Sequence, residues 1–294
     1  MRVHFLLVRR VPPVPSPVLV EVTQRLERRR FTVTGVIPEE LLTRADLLRP
    51  EHDVVVLKSH TELALSLAGL LRAEGARLLN PYGSCLAAQD KVTCTRRLRA
   101  AGLPVPATWA TADPALVDAV WSGTPLVVKP VRGHRGAGVV VVRHPGELAL
   151  LEVPPGTPLV VQEHVPGPGE DLKVYVAGDH VAAVRKPFAP DSFTRPGRPA
   201  AVTAEVRDMA LRAGEALGLG LYGLDVIEGP DGPVIVDANY FPGYKGVPGA
   251  ARAIAAYVEG FARGRIELVE GGCRTPTGAA AAGAAAGAGA GTAP

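Results

Sequence analysis

Residues 222–246, YGLDVIEGPDGPVIVDANYFPGYKG, decide the fold of this chain. The stretch predicts two β-strands, because two apolar runs flank Pro-Asp-Gly, a sequence that favours a tight turn. Asp237 and Asn239 are two residues apart on the second strand, so they point to the same face, and the hairpin folds Asp225 toward them. Two carboxylates and an amide oxygen suit Mg²⁺, which completes its shell with nucleotide phosphates. The alternative, two solvent-facing acids, is disfavoured by the apolar run directly before Asp237.

The composition is that of a globular protein of 294 residues, 47% hydrophobic, with a formal net charge of +3. That charge is too small to indicate a nucleic-acid partner, and no apolar run has membrane-spanning length. The cysteines, at positions 85, 94 and 273, lack metal or disulfide spacing, which is typical of a reducing compartment. The N-terminal MRVHFLLVRRVPP has a strand pattern without a signal-peptide cleavage site. We therefore expect a cytoplasmic protein with no nucleic-acid or membrane partner; nothing in the sequence indicates its oligomeric state.

The first 80 residues alternate between strand and helix patterns, which predicts an α/β lobe with a small parallel sheet. Thr61 is a good N-cap for the second helix, whose predicted apolar side carries Leu63, Leu67, Leu70 and Leu71. Lys58 directly follows DVVVL, the third predicted strand. Ligands in such sheets bind beyond the carboxyl ends of the strands, so Lys58 is a candidate substrate residue, with a solvated lysine as the alternative.

The middle of the chain carries a second set of motifs. Asp90 is a good N-cap, and it precedes Lys91 at the start of a basic helix. Residues 125–142, PLVVKPVRGHRGAGVVVV, predict a strand ending at Lys129, a glycine loop and a further strand. Glycines in the loop allow backbone N–H groups to approach phosphate oxygens closely. The loop is not a P-loop, because no Gly-Lys-Ser/Thr opens a helix.

Together these motifs resemble the ATP-grasp superfamily, over residues 80–248 closely and over the N-terminal lobe loosely. Two branches are similar: the RimK-like carboxylate–amine ligases and the inositol 1,3,4-trisphosphate 5/6-kinases. The resemblance implies an α/β fold with α+β lobes, ATP as the nucleotide and one or two Mg²⁺ ions, for which Mn²⁺ can substitute. It also implies a small-molecule substrate, which is a carboxylate plus an amine in one branch and an inositol phosphate in the other.

The resemblance implies a role for each candidate residue. It assigns nucleotide phosphates to Lys91, Lys129, Lys173 and the loop glycines Gly133, Gly136 and Gly138; the adenine edge to Gln162, Glu163, His164 and Val165; the ribose to Glu170 or Asp171; metal to Asp225, Asp237 and Asn239; catalysis to Lys173 and Arg185; and substrate to Lys58, His134, Arg185 and Gly243. The chain departs from the ligase pattern at Asp171-Leu172-Lys173, where ligases have Asp-x-Arg.

The same motifs divide the chain into four parts. We expect an N-terminal lobe over residues 1–80, a central lobe with the glycine loop over 81–162, a lobe with the metal site over 163–268, and a disordered Ala/Gly-rich tail over 269–294.

The predicted function is an ATP-dependent ligase acting through an acyl phosphate. The kinase is the first alternative, favoured by VDANYFPGYKG and by Asp237 where ligases have Glu. The N-terminal lobe offers few basic residues beyond Lys58 for a polyphosphate, which favours the ligase. A non-catalytic nucleotide-binding regulator is the second alternative, and the intact metal trio disfavours it.

Overall fold

The computed structural model describes residues 1–10, 13–133, 138–188 and 197–270. The predicted site residues His134 and Gly136 lie outside these ranges, as does the tail from residue 271 onward. Within the described ranges, no helix combines the length and apolarity needed to cross a bilayer.

The chain forms three β-sheets with helices packed around them. The strands are β1 (Arg2–Leu6), β2 (Thr32–Val36), β3 (Val54–Leu57), β4 (Leu78–Leu79), β5 (Thr108–Thr111), β6 (Leu126–Pro130), β7 (Val140–Val142), β8 (Leu159–Glu163), β9 (Glu170–Ala177), β10 (His180–Pro187), β11 (Arg198–Ala200), β12 (Leu221–Gly229) and β13 (Gly232–Tyr240). The α-helices are α1 (Pro17–Glu27), α2 (Glu62–Ala73), α3 (Tyr82–Gln89), α4 (Lys91–Ala100), α5 (Ala204–Leu217) and α6 (Ala250–Ala262).

The first sheet is parallel, in the order β2-β1-β3-β4, as the alternating pattern predicts. The Thr61 hydroxyl caps α2 by accepting a hydrogen bond from the Ala64 amide, 3.3 Å away. The predicted buried face of α2 is partly wrong, because Leu63 and Leu70 are 45% and 42% exposed. Ala64 and Ala68 are buried in their place. Because ELALSLAGLLRA is apolar nearly all round, periodicity alone does not define which face packs on the sheet.

The second sheet, β5-β8-β6-β7, is antiparallel and carries the strand–loop–strand unit. Gly138 ends the loop with φ +68°, a left-handed conformation that favours glycine. This sheet has a small hydrophobic core of its own. The buried members of that core in the described chain are Val117, Leu126, Val128, Val142, Leu159 and Val161.

The third sheet is antiparallel, in the order β11-β10-β9-β12-β13, and contains the hairpin of residues 222–246. Helices α5 and α6 pack against β9. Thr203 caps α5 by accepting from the Val206 amide, and Gly218 ends the helix with φ +69°. The third sheet and these helices share one continuous core with the N-terminal sheet.

Buried polar contacts reinforce that shared core. The Asn80 side chain donates to the Leu221 carbonyl at 2.8 Å and accepts from the Gly220 and Leu221 amides at 2.8 and 3.0 Å. Arg77 donates to two carbonyls at the end of α6. The Tyr240 hydroxyl donates to the Ser59 carbonyl at 2.8 Å. The N-terminal sheet is therefore joined to the strand that carries Asp237 and Asn239.

Candidate active site

The β12–β13 hairpin brings the predicted metal residues together. Asp225 pairs directly with Asp237 across the two strands, and Gly223 pairs with Asn239. Paired residues share a face, so the two carboxylates and the amide lie on one side of the third sheet. A bulge follows at Asp225/Val226, and the Ala238 amide donates to one Asp237 oxygen at 3.1 Å.

The chemistry of this trio fits a hard cation. The described residues contain no cluster of three or more His, Cys, Asp or Glu side chains suited to a metal. The trio supplies two carboxylates and one amide oxygen, so a cation bound here needs further oxygen ligands. Mg²⁺ meets that condition, because it keeps waters and binds nucleotide phosphates alongside one or two carboxylates. Asp225, Asp237 and Asn239 are therefore the residues that would hold it.

Lys173 lies on the same face as the trio, on β9. Its ammonium is 2.7 Å from carboxylate oxygens of both Asp171 and Asp225. Burial favours the neutral amine, but the carboxylates of Asp225 and Asp171 outweigh it and raise the pKa of Lys173 above its ordinary value. The second oxygen of Asp171 is buried and has no hydrogen-bond partner in the described chain, and burial raises the pKa of this carboxyl group. That oxygen can accept a hydrogen bond from a bound ligand.

Lys91 and Lys129 extend the site toward the second sheet. The Lys129 ammonium is 8% exposed and donates to the Val236 carbonyl on β13 at 3.0 Å. Burial lowers the pKa of Lys129, and Asp237 opposes that shift. Lys91 donates to the Gly133 carbonyl in the glycine loop at 3.1 Å. Both predicted phosphate lysines thus lie between the loop and the metal trio.

The adenine-binding segment, residues 162–165, ends β8 where it leaves the second sheet. The Gln162 side chain is buried and donates to the Thr108 hydroxyl at 3.2 Å. The backbone amides of Glu163 and His164 donate to the carbonyls of Ala107 and Pro125 at 3.1 and 2.9 Å. These two amides are engaged within the protein, whereas Val165 lies just beyond them.

Arg185 and Glu170 are not brought together with the metal trio. Arg185 pairs with Leu172 across β9, which places it on the opposite face from Lys173. There its guanidinium forms a two-pronged contact with Glu228, including a 3.0 Å hydrogen bond, and lies 3.4 Å from Glu170. Both residues therefore take part in an ion-pair cluster on the far side of the sheet.

Lys186 lies where Arg185 was expected, and the sequence interpretation missed it. It pairs with Asp171, so it shares the face of Lys173, and it is 5% exposed. Burial, together with nearby Lys173 and Lys245, lowers the pKa of Lys186. The signal was present in the hairpin, because a two-residue Gly178-Asp179 turn fixes the register that sets residue 186 opposite residue 171.

The N-terminal sheet contributes one wall of the site through residues 58–60. The Lys58 ammonium lies 5.3 Å from the centre of the Phe241 ring. The His60 ring stacks on Tyr240, with centroids 4.1 Å apart. A pocket at this point is lined by His60, Gln89, Lys91, Gly133, Asp237, Asn239 and Tyr240, among others. His60 was not predicted, because no local motif signals that its loop packs on a strand 180 residues later. Gly243, a predicted substrate residue, is exposed on the loop after Phe241.

The lysines of this chain gather at the site. The sequence has 26 arginines and six lysines, Lys58, Lys91, Lys129, Lys173, Lys186 and Lys245. Four of them surround the metal trio or the glycine loop as described above. Lys245 lies near Lys186, and Lys58 lies against the residue two positions after Asn239.

Comparison with known proteins agrees with this geometry. A family model described as the RimK-like ATP-grasp domain matches residues 88–256. A probable alpha-L-glutamate ligase of Shewanella baltica is 31% identical over 234 residues, which cover 71% of this chain and 77% of the relative. A probable alpha-L-glutamate ligase of Shewanella amazonensis is 32% identical over 206 residues, covering 63% of this chain and 68% of the relative.

Solved structures share the fold. A RimK domain ATP-grasp protein from Sphaerobacter thermophilus superposes with a TM-score of 0.73 at 23% identity, covering 88% of this chain and all of that one. The D-cycloserine synthetase DcsG gives a TM-score of 0.68 at 19% identity, covering 88% and 99%. At these identities the likeness concerns the fold alone.

Proposed function

The chain belongs to the RimK-like ATP-grasp family, and we propose that it is a ligase that uses ATP and Mg²⁺ to join a carboxylate to an amine through an acyl phosphate. The family binds ATP with Mg²⁺, and one ATP-grasp ligase of the same fold has been solved with Mg and ADP. The observation that carries the proposal is the facing pair Asp225–Asp237 with Asn239 beside it, surrounded by buried lysines.

The residues on the site face supply what phosphoryl transfer requires, namely positioning and charge neutralisation. Lys91 and Lys129 hold the nucleotide phosphates near the glycine loop, which includes Gly133 and Gly138. Lys173 and Lys186 face the transferred phosphoryl group from β9 and β10. Mg²⁺, when held by the trio, neutralises charge on the phosphate oxygens. We propose one or two such ions, with Mn²⁺ able to substitute.

The nucleotide base lies at the end of β8 in this proposal. The carbonyl groups of residues 162–165 and the Val165 amide offer hydrogen bonds to the adenine edge. Asp171 is the better of the two ribose candidates, because its buried oxygen lacks a partner in the described chain, whereas Glu170 contacts Arg185. We accordingly assign residues 1–80, 81–162 and 163–268 to three lobes and residues 269–294 to a tail.

The acceptor is a small molecule with a carboxylate, and the second substrate is an amine. The relatives named alpha-L-glutamate ligases make L-glutamate the leading candidate for either role. The acyl phosphate is a mixed anhydride that water would hydrolyse, so a site that excludes water favours attack by the amine. No protein nucleophile is needed in this reaction.

Hydroxylamine trapping tests the proposal. The protein is incubated with ATP, Mg²⁺, hydroxylamine and each common amino acid in turn, and hydroxamate and ADP are measured. We expect at least one amino acid, with L-glutamate foremost, to give hydroxamate. Lys129→Ala should remove the product, whereas Arg44→Ala, an exposed residue paired with Asp46, should not.

Two outcomes would contradict the ligase. One is ADP release that no carboxylate stimulates. The other is stable transfer of phosphate from ATP to an inositol phosphate, which would identify a kinase.

A further inference from the structure

Lys58 is a buried-side cation whose role the proposed nucleotide site does not explain. It follows β3 at the carboxyl edge of the parallel sheet and is partly buried. In the part of the chain that the structure describes, its ammonium makes no ion pair with a carboxylate and lies over the Phe241 ring. A lysine in this position has its charge only partly compensated by the ring.

The surroundings of Lys58 connect it to the candidate active site. Phe241 comes two residues after Asn239 on the same segment. Its ring packs edge-on against Phe5 of β1 and against Tyr244, at centroid distances of 6.4 and 6.1 Å. Tyr240, between Asn239 and Phe241, holds the Ser59 carbonyl and stacks on His60. Lys58 is therefore fixed beside the end of the strand that carries the metal residues.

The local charge favours an anion. Arg10, which follows β1 at the same edge of the sheet, is the charged group that most affects Lys58. Burial lowers the pKa of Lys58 to about 8, and the nearby guanidinium of Arg10 adds to the shift. A bound carboxylate would relieve both effects.

The amino-acid usage of the chain gives an independent reason to assign Lys58 a role. Exposed basic positions are filled with arginine almost throughout, since 26 of the 32 basic residues are Arg. The other five lysines lie at the candidate site. Arginine and lysine are not interchangeable where a compact charge contacts a ligand, so a retained lysine beside the site indicates ligand contact.

We propose that Lys58, beside His60, forms a subsite for the non-reacting carboxylate of the acceptor, which makes this ligase selective for dicarboxylic amino acids. The inference rests on the proposed function and specifies its substrate class. The reacting carboxylate lies toward the metal trio and the lysines of β9 and β10. The second carboxylate lies at the edge of the N-terminal sheet.

The test compares acids with their uncharged isosteres. ADP release with hydroxylamine is measured for L-glutamate against L-glutamine and for L-aspartate against L-asparagine. We expect the wild-type protein to use an acidic member with a KM at least roughly 10-fold below that of its amide, since charge-assisted contacts are the stronger ones. Lys58→Met should raise KM for the acid by roughly 10- to 100-fold while kcat and the KM of the amide change by less than about threefold.

Three controls separate the possible causes. Lys58→Arg keeps the charge and should recover part of the lost affinity. Arg9→Gln alters an exposed cation of the same lobe, paired with Glu40, and should have no effect. Melting curves of each variant identify any that fail to fold, in which case Lys58→Arg alone decides the question through its KM ratio.

The outcomes distinguish this inference from the function on which it rests. A wild-type protein that turns over no amino acid refutes the ligase proposal. A wild-type protein that uses acids and amides equally, or that prefers a neutral amino acid, refutes the subsite while leaving the ligase intact. An equal change in KM for both members of a pair in Lys58→Met also refutes it.

Discussion

The two hydrophobic cores of this protein differ in size and in what they support. The larger one joins the N-terminal sheet, the third sheet and helices α5 and α6, and it is locked by the buried Asn80 side chain. The smaller one lies within the second sheet and contains six buried side chains among the described residues. We call the first the body and the second the lobe.

The contacts between body and lobe are mainly polar. They include hydrogen bonds from Lys129 to the Val236 carbonyl, from the Ile235 amide to the Pro104 carbonyl and from the Lys91 amide to the Val131 carbonyl. The metal trio lies wholly on the body, whereas Lys129 and the glycine loop lie on the lobe. The comparison teaches that the site divides between a rigid platform for the chemistry and a less firmly attached lobe for the nucleotide.

The largest expected effect comes from the body side of this division. Asp237→Asn removes a carboxylate that faces Asp225 and should lower kcat by about 10³-fold, the scale of the several kcal/mol that a catalytic metal supplies. Lys129→Met, on the lobe, should instead act mainly by raising KM for ATP. Steady-state kinetics at varied ATP, with melting curves to verify folding, measure both. If the two variants lose kcat and KM in the same proportion, the site does not divide in this way.

Much of the body and of its site was predictable from sequence. The caps Thr61, Asp90 and Thr203 are local signals, and each accepts the predicted backbone hydrogen bond. The pairing of Asp225 with Asp237 followed from the turn chemistry of one hairpin, since sequence-adjacent strands have their register set by the turn.

The parts that were not predicted depend on parity and on long-range packing. The choice of Arg185 over Lys186 was an error of one residue, and such a step moves a side chain to the other face of a strand. The exposure of Leu63 and Leu70 depends on which stripe of α2 meets the sheet. The packing of His60 on Tyr240 joins residues 180 positions apart, for which a single sequence carries no signal.

Matched core truncations test whether body and lobe unfold separately. Leu224→Ala in the body and Leu126→Ala in the lobe remove side chains that are 0% and 1% exposed, each at a cost of about 2–5 kcal/mol. We expect Leu224→Ala to lower the main melting transition by roughly 5–15 °C. Leu126→Ala should leave that transition nearly unchanged and reduce hydrogen-exchange protection only in the second sheet. Loss of protection across the whole chain in Leu126→Ala would show that the two cores form one cooperative unit.

The smallest expected effect concerns the edge of the body at Lys58. The native pKa of Lys58, about 8, is below its ordinary value of 10.5, so the unfolded chain binds more protons between these two values. Stability therefore rises with pH through that window, and at pH 7 the buried ammonium is at its most destabilising. Lys58→Met should melt about 2–4 °C above the wild type at pH 7, and this gap should narrow by pH 9.5. Arg9→Gln serves as the control, because the guanidinium of Arg9 does not titrate in this range. Melting temperatures measured at half-unit pH steps check the trend, and saturating L-glutamate should move the narrowing to higher pH if its second carboxylate lies on Lys58. A gap that stays constant from pH 7 to 9.5 would mean that the ammonium is fully hydrated, and the edge of the body would then be no place for a buried anion.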